Sequence, residues 1–197
     1  DVYKRQVGQF AQFARKKFKN AKIYCFEPIP QAYAKLKEWA EKDGHSVAYP
    51  LALGEENKTV EFFVHSDHSP SSSLLRTTPL KHHYYPFTKK QQAITVQMTK
   101  LDDWLSKEQI KLEEEILIKL DVQGYEDRVL RGATRLLQKA KAVIAEVNFD
   151  KFYEDQATFW DIAILLRECG YDYVGNWSQS IALDGHVTFI DAVFVRK

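Results

Sequence analysis

The sequence predicts an α/β domain: a mostly parallel sheet with helices on both faces, ending in an antiparallel hairpin at the C-terminus. Three observations carry that prediction. Short apolar runs of strand length alternate with longer segments of helical periodicity. No tandem repeat or linker-like stretch divides the 197 residues, so a single domain over 1–197 is expected. The last two strand patterns are joined by Asp184-Gly185, a turn pair suited to a hairpin rather than a crossover.

The elements follow in order. "VGQFAQFARKKFKN" spaces Phe10, Phe13, Ala14 and Phe18 as one helical face. "KIYCFE" is a short apolar strand. "QAYAKLKEWAEKDG" is a helix with Tyr33, Leu36 and Ala40 on one side and Gly44 placed to cap it. "SVAYPLAL" reads as one strand. "KTVEFFV" and "ITVQM" alternate, as strands with one wet face do. Between them residues 65–93 are polar and turn-rich, and read as an inserted loop. Its His65, His68, His82 and His83 are expected to be solvated. "TKLDDWL" offers Thr99 as a helix N-cap with Asp102 three residues on. "EILIKLDV" is a continuous apolar strand. Val129, Leu130, Ala133, Leu136, Leu137 and Ala140 then form the stripe of one helix. "AVIAEVNF" is a strand, and "TFWDIAILLRECG" is a helix whose breadth of apolar residues predicts deep packing. "YDYVGNW" and "VTFIDAVFVRK" make the closing pair.

Composition narrows the function classes. The chain is 45% hydrophobic and 13% aromatic, as globular proteins are. Its 28 basic and 27 acidic residues give a formal charge of +1, which offers no electrostatic footprint for nucleic acid or an anionic membrane. No apolar run approaches the ~20 residues of a membrane span. The opening "DVYKRQ" has no apolar core behind it, so a secretory signal is not expected and a cytoplasmic location is. Cys25 and Cys169 sit in apolar contexts and read as free thiols in the core, without a disulfide framework or a metal site.

In open α/β sheets ligands bind beyond the carboxyl ends of the strands. Three strand ends here carry acids: Glu27 followed by Pro28, Asp121, and Glu146. Their shared edge predicts a pocket. A carboxylate at Glu27 can accept both hydroxyl hydrogens of a ribose. Ala52 and Leu53 end the next strand, where small or apolar side chains suit an adenine ring. After Asp121, Gly124 permits a sharp bend, while Gln123 and Glu126 are placed to line the cleft. Asp127 falls on the first helical turn, where the dipole favours negative charge.

These segments together resemble the FkbM-type S-adenosylmethionine-dependent methyltransferases. "KLDVQGYEDRVLRGA" is similar to that family's central motif, and "YCFEPIPQAYAKLK" to its Phe-Glu-Pro segment. "PLALGEENKTVEFFV", "SSSLL" and "ITVQMTKLDDWL" follow in the family's order. The resemblance implies a Rossmann-like class I methyltransferase fold, bound S-adenosyl-L-methionine and methyl transfer to a hydroxyl oxygen of a sugar, lipid or secondary metabolite. It implies a small-molecule or glycan acceptor, and neither nucleic acid nor a membrane span. By position it places Gly8, Glu27, Pro28, Ala52, Leu53, Asp121, Val122 and Gln123 at the cofactor. Asp121, Glu126 and Glu146 are the candidates for catalysis, with no metal.

The family's glycine turn, of the form Asp-Val-Gly-Ala-Asn, has only its two flanks here. Asp1-Val2 and Val7-Gly8-Gln9-Phe10 enclose Tyr-Lys-Arg-Gln. Residues 1–6 are therefore expected to be a foreign junction, and the first strand to be truncated. Bulky Tyr3, Lys4 and Arg5 are expected to weaken cofactor binding relative to a glycine turn. Two other readings compete. Gly8 lies 19 residues before Glu27, near the spacing of a nicotinamide-dependent oxidoreductase, although a full Gly-x-Gly-x-x-Gly is lacking. A non-catalytic methyltransferase-like binding domain is the other.

Overall fold

The computed structural model describes residues 8–65 and 71–197. The expectations for residues 1–6 and for His68 lie outside them. Helices and strands alternate as the periodicity predicts: α1 (Gln9–Lys17), β1 (Ile23–Phe26), α2 (Pro30–Asp43), β2 (Ser46–Tyr49), β3 (Ala52–Leu53), β4 (Lys58–His65), α3 (Pro79–Tyr84), β5 (Gln91–Thr99), α4 (Leu101–Lys107), β6 (Leu117–Leu120), α5 (Glu126–Arg131), α6 (Thr134–Leu137), β7 (Ala142–Asn148), α7 (Phe159–Glu168), β8 (Tyr171–Ile181) and β9 (Val187–Arg196).

The architecture is mixed α/β. β1 and β2 are parallel, as are β3 with β5 and β6 with β7. β4 runs antiparallel to β5, and β9 antiparallel to both β7 and β8. Among the described residues the strands form three sheets, ordered β1-β2, β3-β5-β4 and β6-β7-β9-β8. The predicted closing hairpin is present. Its turn is closed by Ala182 N–H donating to His186 O at 2.8 Å, with Gly185 at φ +94°. Among the described residues β8 is one of the two outer strands of its sheet. Its pairing with β9 slips between Tyr173 and Gly175, between Asn176 and Ser178, and between Ser180 and Ile181.

The main core lies between β6, β7, β9 and the helices α5, α6 and α7. Trp104 of α4 ties the β1-β2 sheet to it: Tyr24, Phe26 and Tyr49 meet its ring edge to face at 4.8–5.3 Å. A second cluster joins Ile29, Ala32, Ala52, Phe62, Val96 and Met98.

Six expectations need correction. "SVAYPLAL" is two strands in two sheets, because Pro50 cannot donate to a continuing ladder. The single helix after Asp121 is two, α5 and α6, parted at Gly132-Ala133. Asp102 does not pair with Thr99 across a capping box. Its carboxylate accepts from Arg135 N (2.8 Å), Leu136 N (3.0 Å) and Thr134 Oγ1 (3.1 Å), so it caps α6 from another helix. Thr99 Oγ1 donates to Asn57 Oδ1 instead. α7 is packed on one side only, through Ile162 and Leu166, and leaves Trp160 and Ile164 exposed. Residues 71–89 are not an open loop: they hold α3 and a 3-10 turn at Pro86–Lys89, and bury Ser71, Ser72, Ser73, Thr77, Thr78 and Lys81. His65 is buried at the end of β4 rather than solvated, with Ser72 Oγ accepting from its amide at 3.1 Å. Both cysteines are free and half-buried, and burial pushes the Cys25 thiol up to about 11.

Candidate active site

The site grows from the turn that links β6 to α5. Leu120 is buried, and Asp121 leaves the sheet into solvent. Gln123 then adopts φ +58° and Gly124 φ +96°. A left-handed glutamine is uncommon, and such backbone clusters where structure holds a side chain for function. Glu126 fixes the turn from the first turn of α5. Its Oε1 accepts Val122 N–H and its Oε2 accepts Gly124 N–H, both at 3.0 Å. Ser73 Oγ donates to Gln123 O at 2.8 Å, and Ala157 N–H to Gly124 O at 3.0 Å. Segments 71–78 and 150–157 therefore clamp the turn from two sides.

This backbone aims the Gln123 side chain inward. Its Nε2 donates to Asp121 Oδ1 at 2.8 Å and to Glu146 Oε1 at 2.5 Å. Asp121, Gln123, Glu126 and Glu146 are thus assembled at the carboxyl ends of β6 and β7. Beneath them Lys119 Nζ lies 2.7 Å from Asp191 Oδ1 and 4.0 Å from Asp121 Oδ2. Burial alone would lower the Lys119 pKa. Asp121, Asp191 and Glu146 more than reverse that, so the ammonium is held above its ordinary value.

The other sequence-predicted residues lie on β3, at the N-cap of α1 and in the turns that follow β1 and β6. Glu27 follows β1, and its Oε1 accepts Ile29 N–H at 2.9 Å. Pro28 occupies the turn between them. Ala52 and Leu53 form β3, buried beside β5. Ile29 and Ala52 share the second apolar cluster, and Tyr125 packs against both clusters. Gly8 is the left-handed N-cap of α1, φ +73°, seated against Leu36 of α2. Val122 is half-buried and presents its amide to Glu126.

Besides Lys119 and Asp191, two further residues of the site escaped sequence reasoning. Lys81, on α3, donates to Tyr153 Oη, and its Nζ lies 3.5 Å from Gln123 Oε1. Tyr153 Oη lies 2.5 Å from Gln123 Oε1 and 2.9 Å from Ser71 O. Both side chains are buried, at 3% and 0% exposure. A lysine in a polar run and a tyrosine in an acidic turn carry no local mark of burial; only the 72-residue contact between them reveals it.

Burial pushes the Glu126 carboxyl up to about 8 and the Glu27 carboxyl up to about 7, the backbone amides that each accepts opposing the shift in part. Both folded values lie above the ordinary 4.5, so the folded state keeps these protons longer than the unfolded chain. Their contribution to stability is full below about pH 4.5 and is lost as pH rises toward 8. Urea unfolding is expected to show stability falling from pH 5 to pH 8, by up to about 1.4 kcal/mol per pH unit for each proton retained. Glu126→Gln should flatten that slope; an unchanged slope would remove Glu126 as its source.

An α/β domain with acids gathered at neighbouring strand tips, and a glutamine bridging two of them, has the layout of a methyltransferase domain. Residues 3–173 match the methyltransferase FkbM domain, and the chain belongs to that family. It is 28% identical over 169 residues to the 2-O-methyltransferase NoeI of Sinorhizobium fredii, a match covering 83% of this chain and 68% of that one. Its fold is similar to the crystal structure of methyltransferase FkbM from Methylobacillus flagellatus KT, with a TM-score of 0.57 at 11% identity. That match covers 96% of this chain and 41% of the other, so the chain spans about two fifths of that protein's length. Among the described residues no helix is long and apolar enough to cross a membrane, and no group of three or more His, Cys, Asp or Glu is arranged to hold a metal ion.

Proposed function

We propose that this domain binds S-adenosyl-L-methionine and transfers its methyl group to a hydroxyl oxygen on a small-molecule or glycan acceptor. The acceptor is a sugar, lipid or secondary metabolite. The observation that carries this reading is the Asp121–Gln123–Glu146 group at the ends of β6 and β7, in a chain of the FkbM methyltransferase family. The relative named for 2-O-methyl transfer supports an oxygen acceptor.

The donor set suits this cofactor. Glu27 offers one oxygen to Ile29 N–H and keeps the other for a ribose diol. Ala52 and Leu53 supply the apolar wall for the adenine. Asp121, exposed at the tip of β6, offers negative charge to the sulfonium. When bound, the cofactor supplies a methyl carbon open to in-line displacement, its bonding pair returning to sulfur. Asp121 takes the proton from the acceptor hydroxyl as the oxygen–carbon bond forms. Glu146, buried behind Gln123, holds the amide that orients Asp121. Glu126 serves the turn rather than the proton, since both its oxygens are occupied by backbone amides.

Calorimetric titration with S-adenosyl-L-methionine tests the reading. Glu27→Gln is expected to weaken binding roughly 10- to 100-fold, the value of a hydrogen-bond pair to a charged group. Affinity in the unaltered protein should rise with pH through about 7, where the Glu27 carboxyl ionises. Equal affinity in the two proteins would remove Glu27 from the cofactor site.

A further inference from the structure

Gln123 has no spare hydrogen-bonding capacity. Both of its Nε2 hydrogens go to carboxylates, Asp121 and Glu146. Its Oε1 faces the Tyr153 hydroxyl at 2.5 Å and the Lys81 ammonium at 3.5 Å. The reversed amide would set an oxygen against two carboxylates and an NH2 group against an ammonium. One orientation therefore satisfies every neighbour, and the Lys81–Tyr153 side selects it. Lys81 reaches this position because segment 71–89 is docked: Thr78 Oγ1 donates to Lys151 O at 2.6 Å, Thr78 N–H to Phe152 O at 2.9 Å and Glu154 N–H to Arg76 O at 2.9 Å. The ammonium also sits 3.6 Å from the centre of the Tyr153 ring, which stabilises a buried cation.

We propose that Lys81 is a positioning residue of this site: with Tyr153 it locks the Gln123 amide, which in turn holds Asp121 and Glu146 together as an ionised pair. The proposal rests on the methyl-transfer reading for its purpose, but not for its test. Two like charges held by one amide repel, and one of them would otherwise take up a proton. A buried positive charge on the far side of the bridging amide opposes that, and adds to Lys119 beneath. Among the described residues, Glu126 from α5, Asp191 from β9 and Tyr153 also face the pair.

The decisive measurement is a carbon-13 titration of the Asp121 and Glu146 carboxyl resonances in the ligand-free protein. Lys81→Met is expected to raise the midpoint of at least one of them by about one pH unit, the scale of one nearby opposite charge. Lys81→Arg is expected to restore it to within a few tenths. A merely structural lysine would change thermal stability and leave the midpoints where they are, and that result overturns the proposal. Where the methionine variant fails to fold, Lys81→Gln removes the charge while keeping a donor, and is judged by the same shift. In parallel, calorimetry gives the affinity ratio of S-adenosyl-L-methionine to S-adenosyl-L-homocysteine from pH 6 to 9. The ratio should rise at higher pH in Lys81→Met than in the unaltered protein. If the unaltered protein binds neither compound the cofactor reading fails, while the carboxyl titration still decides the role of Lys81.

Discussion

Gly132→Ala is expected to cost the domain more than about 3 kcal/mol, the upper end for an overpacked interior. The backbone of Gly132 is not strained; its need for glycine is one of space. A methyl group there would fall within contact distance of the Gly54 carbonyl oxygen, 3.0 Å from the Gly54 carbonyl carbon and 3.4 Å from Glu55 Cα. All three atoms are backbone, so no side chain can swing aside. Gly132 O also accepts Asp102 N–H at 3.1 Å, and Asp102 caps α6, so a shift at Gly132 moves three elements together. Urea unfolding should show the loss, and the thermal midpoint should fall by roughly 6–12 °C for a chain of this size. Gly44→Ala is the control. Gly44 has φ +72° and nothing near its added carbon, so the cost there is about 1–2 kcal/mol of backbone strain. A Gly132 variant no worse than the Gly44 variant would show that the contact with Gly54 relaxes freely.

Asp121→Asn should abolish most methyl transfer while sparing the fold. The substitution keeps size and leaves an oxygen for Gln123 Nε2 to meet, but removes both the negative charge and the site for the acceptor proton. Loss of a general base costs about 10²–10⁴-fold in turnover. Asp121 is exposed and helps to form neither core cluster, so the thermal midpoint should move little. Transfer of labelled methyl from S-adenosyl-L-methionine to hydroxylated acceptors, run beside the unaltered protein, reads the effect. Turnover within a few-fold of the unaltered protein would take the proton-accepting role away from Asp121. A weaker cofactor affinity with unchanged turnover would leave it only the sulfonium.

The positions of these residues were legible to different degrees, for physical reasons. Asp121 and Glu146 stood out because each acid follows or ends an apolar strand run, and a parallel sheet gathers such ends on one edge. Gly124 stood out because a strand-to-helix turn so short needs a residue of positive φ. The helix break at Gly132-Ala133 did not, since Val129 to Ala140 keep helical spacing throughout; the break is imposed by the Gly54 backbone and the Asp102 carboxylate, both remote in sequence. "SVAYPLAL" reads as one strand because its apolar residues run on past Pro50, whose missing N–H divides it between two sheets. Segment 71–89 looked like solvent-facing chain because its residues are polar. Ser73, Thr78 and Lys81 are buried all the same, each spending its polar atoms on a distant turn. The role of Glu126 was visible in type but not in kind: an acid on a first helical turn satisfies the local backbone as readily as it meets a ligand.

The three slips along β8 have a bearing on how the molecule behaves in crowded solution. An outermost strand of eleven residues, with Val174, Trp177 and Ile181 on its surface, is the sort of border on which a second molecule lays its own backbone and fibres begin. Two slips leave Val174 and Trp177 unmatched on β8 and the third leaves Thr188 unmatched on β9, and such bulges twist the border and break the regular run of its amides and carbonyls. The protein can therefore display oily side chains along this margin while denying neighbours a straight rail to zip onto.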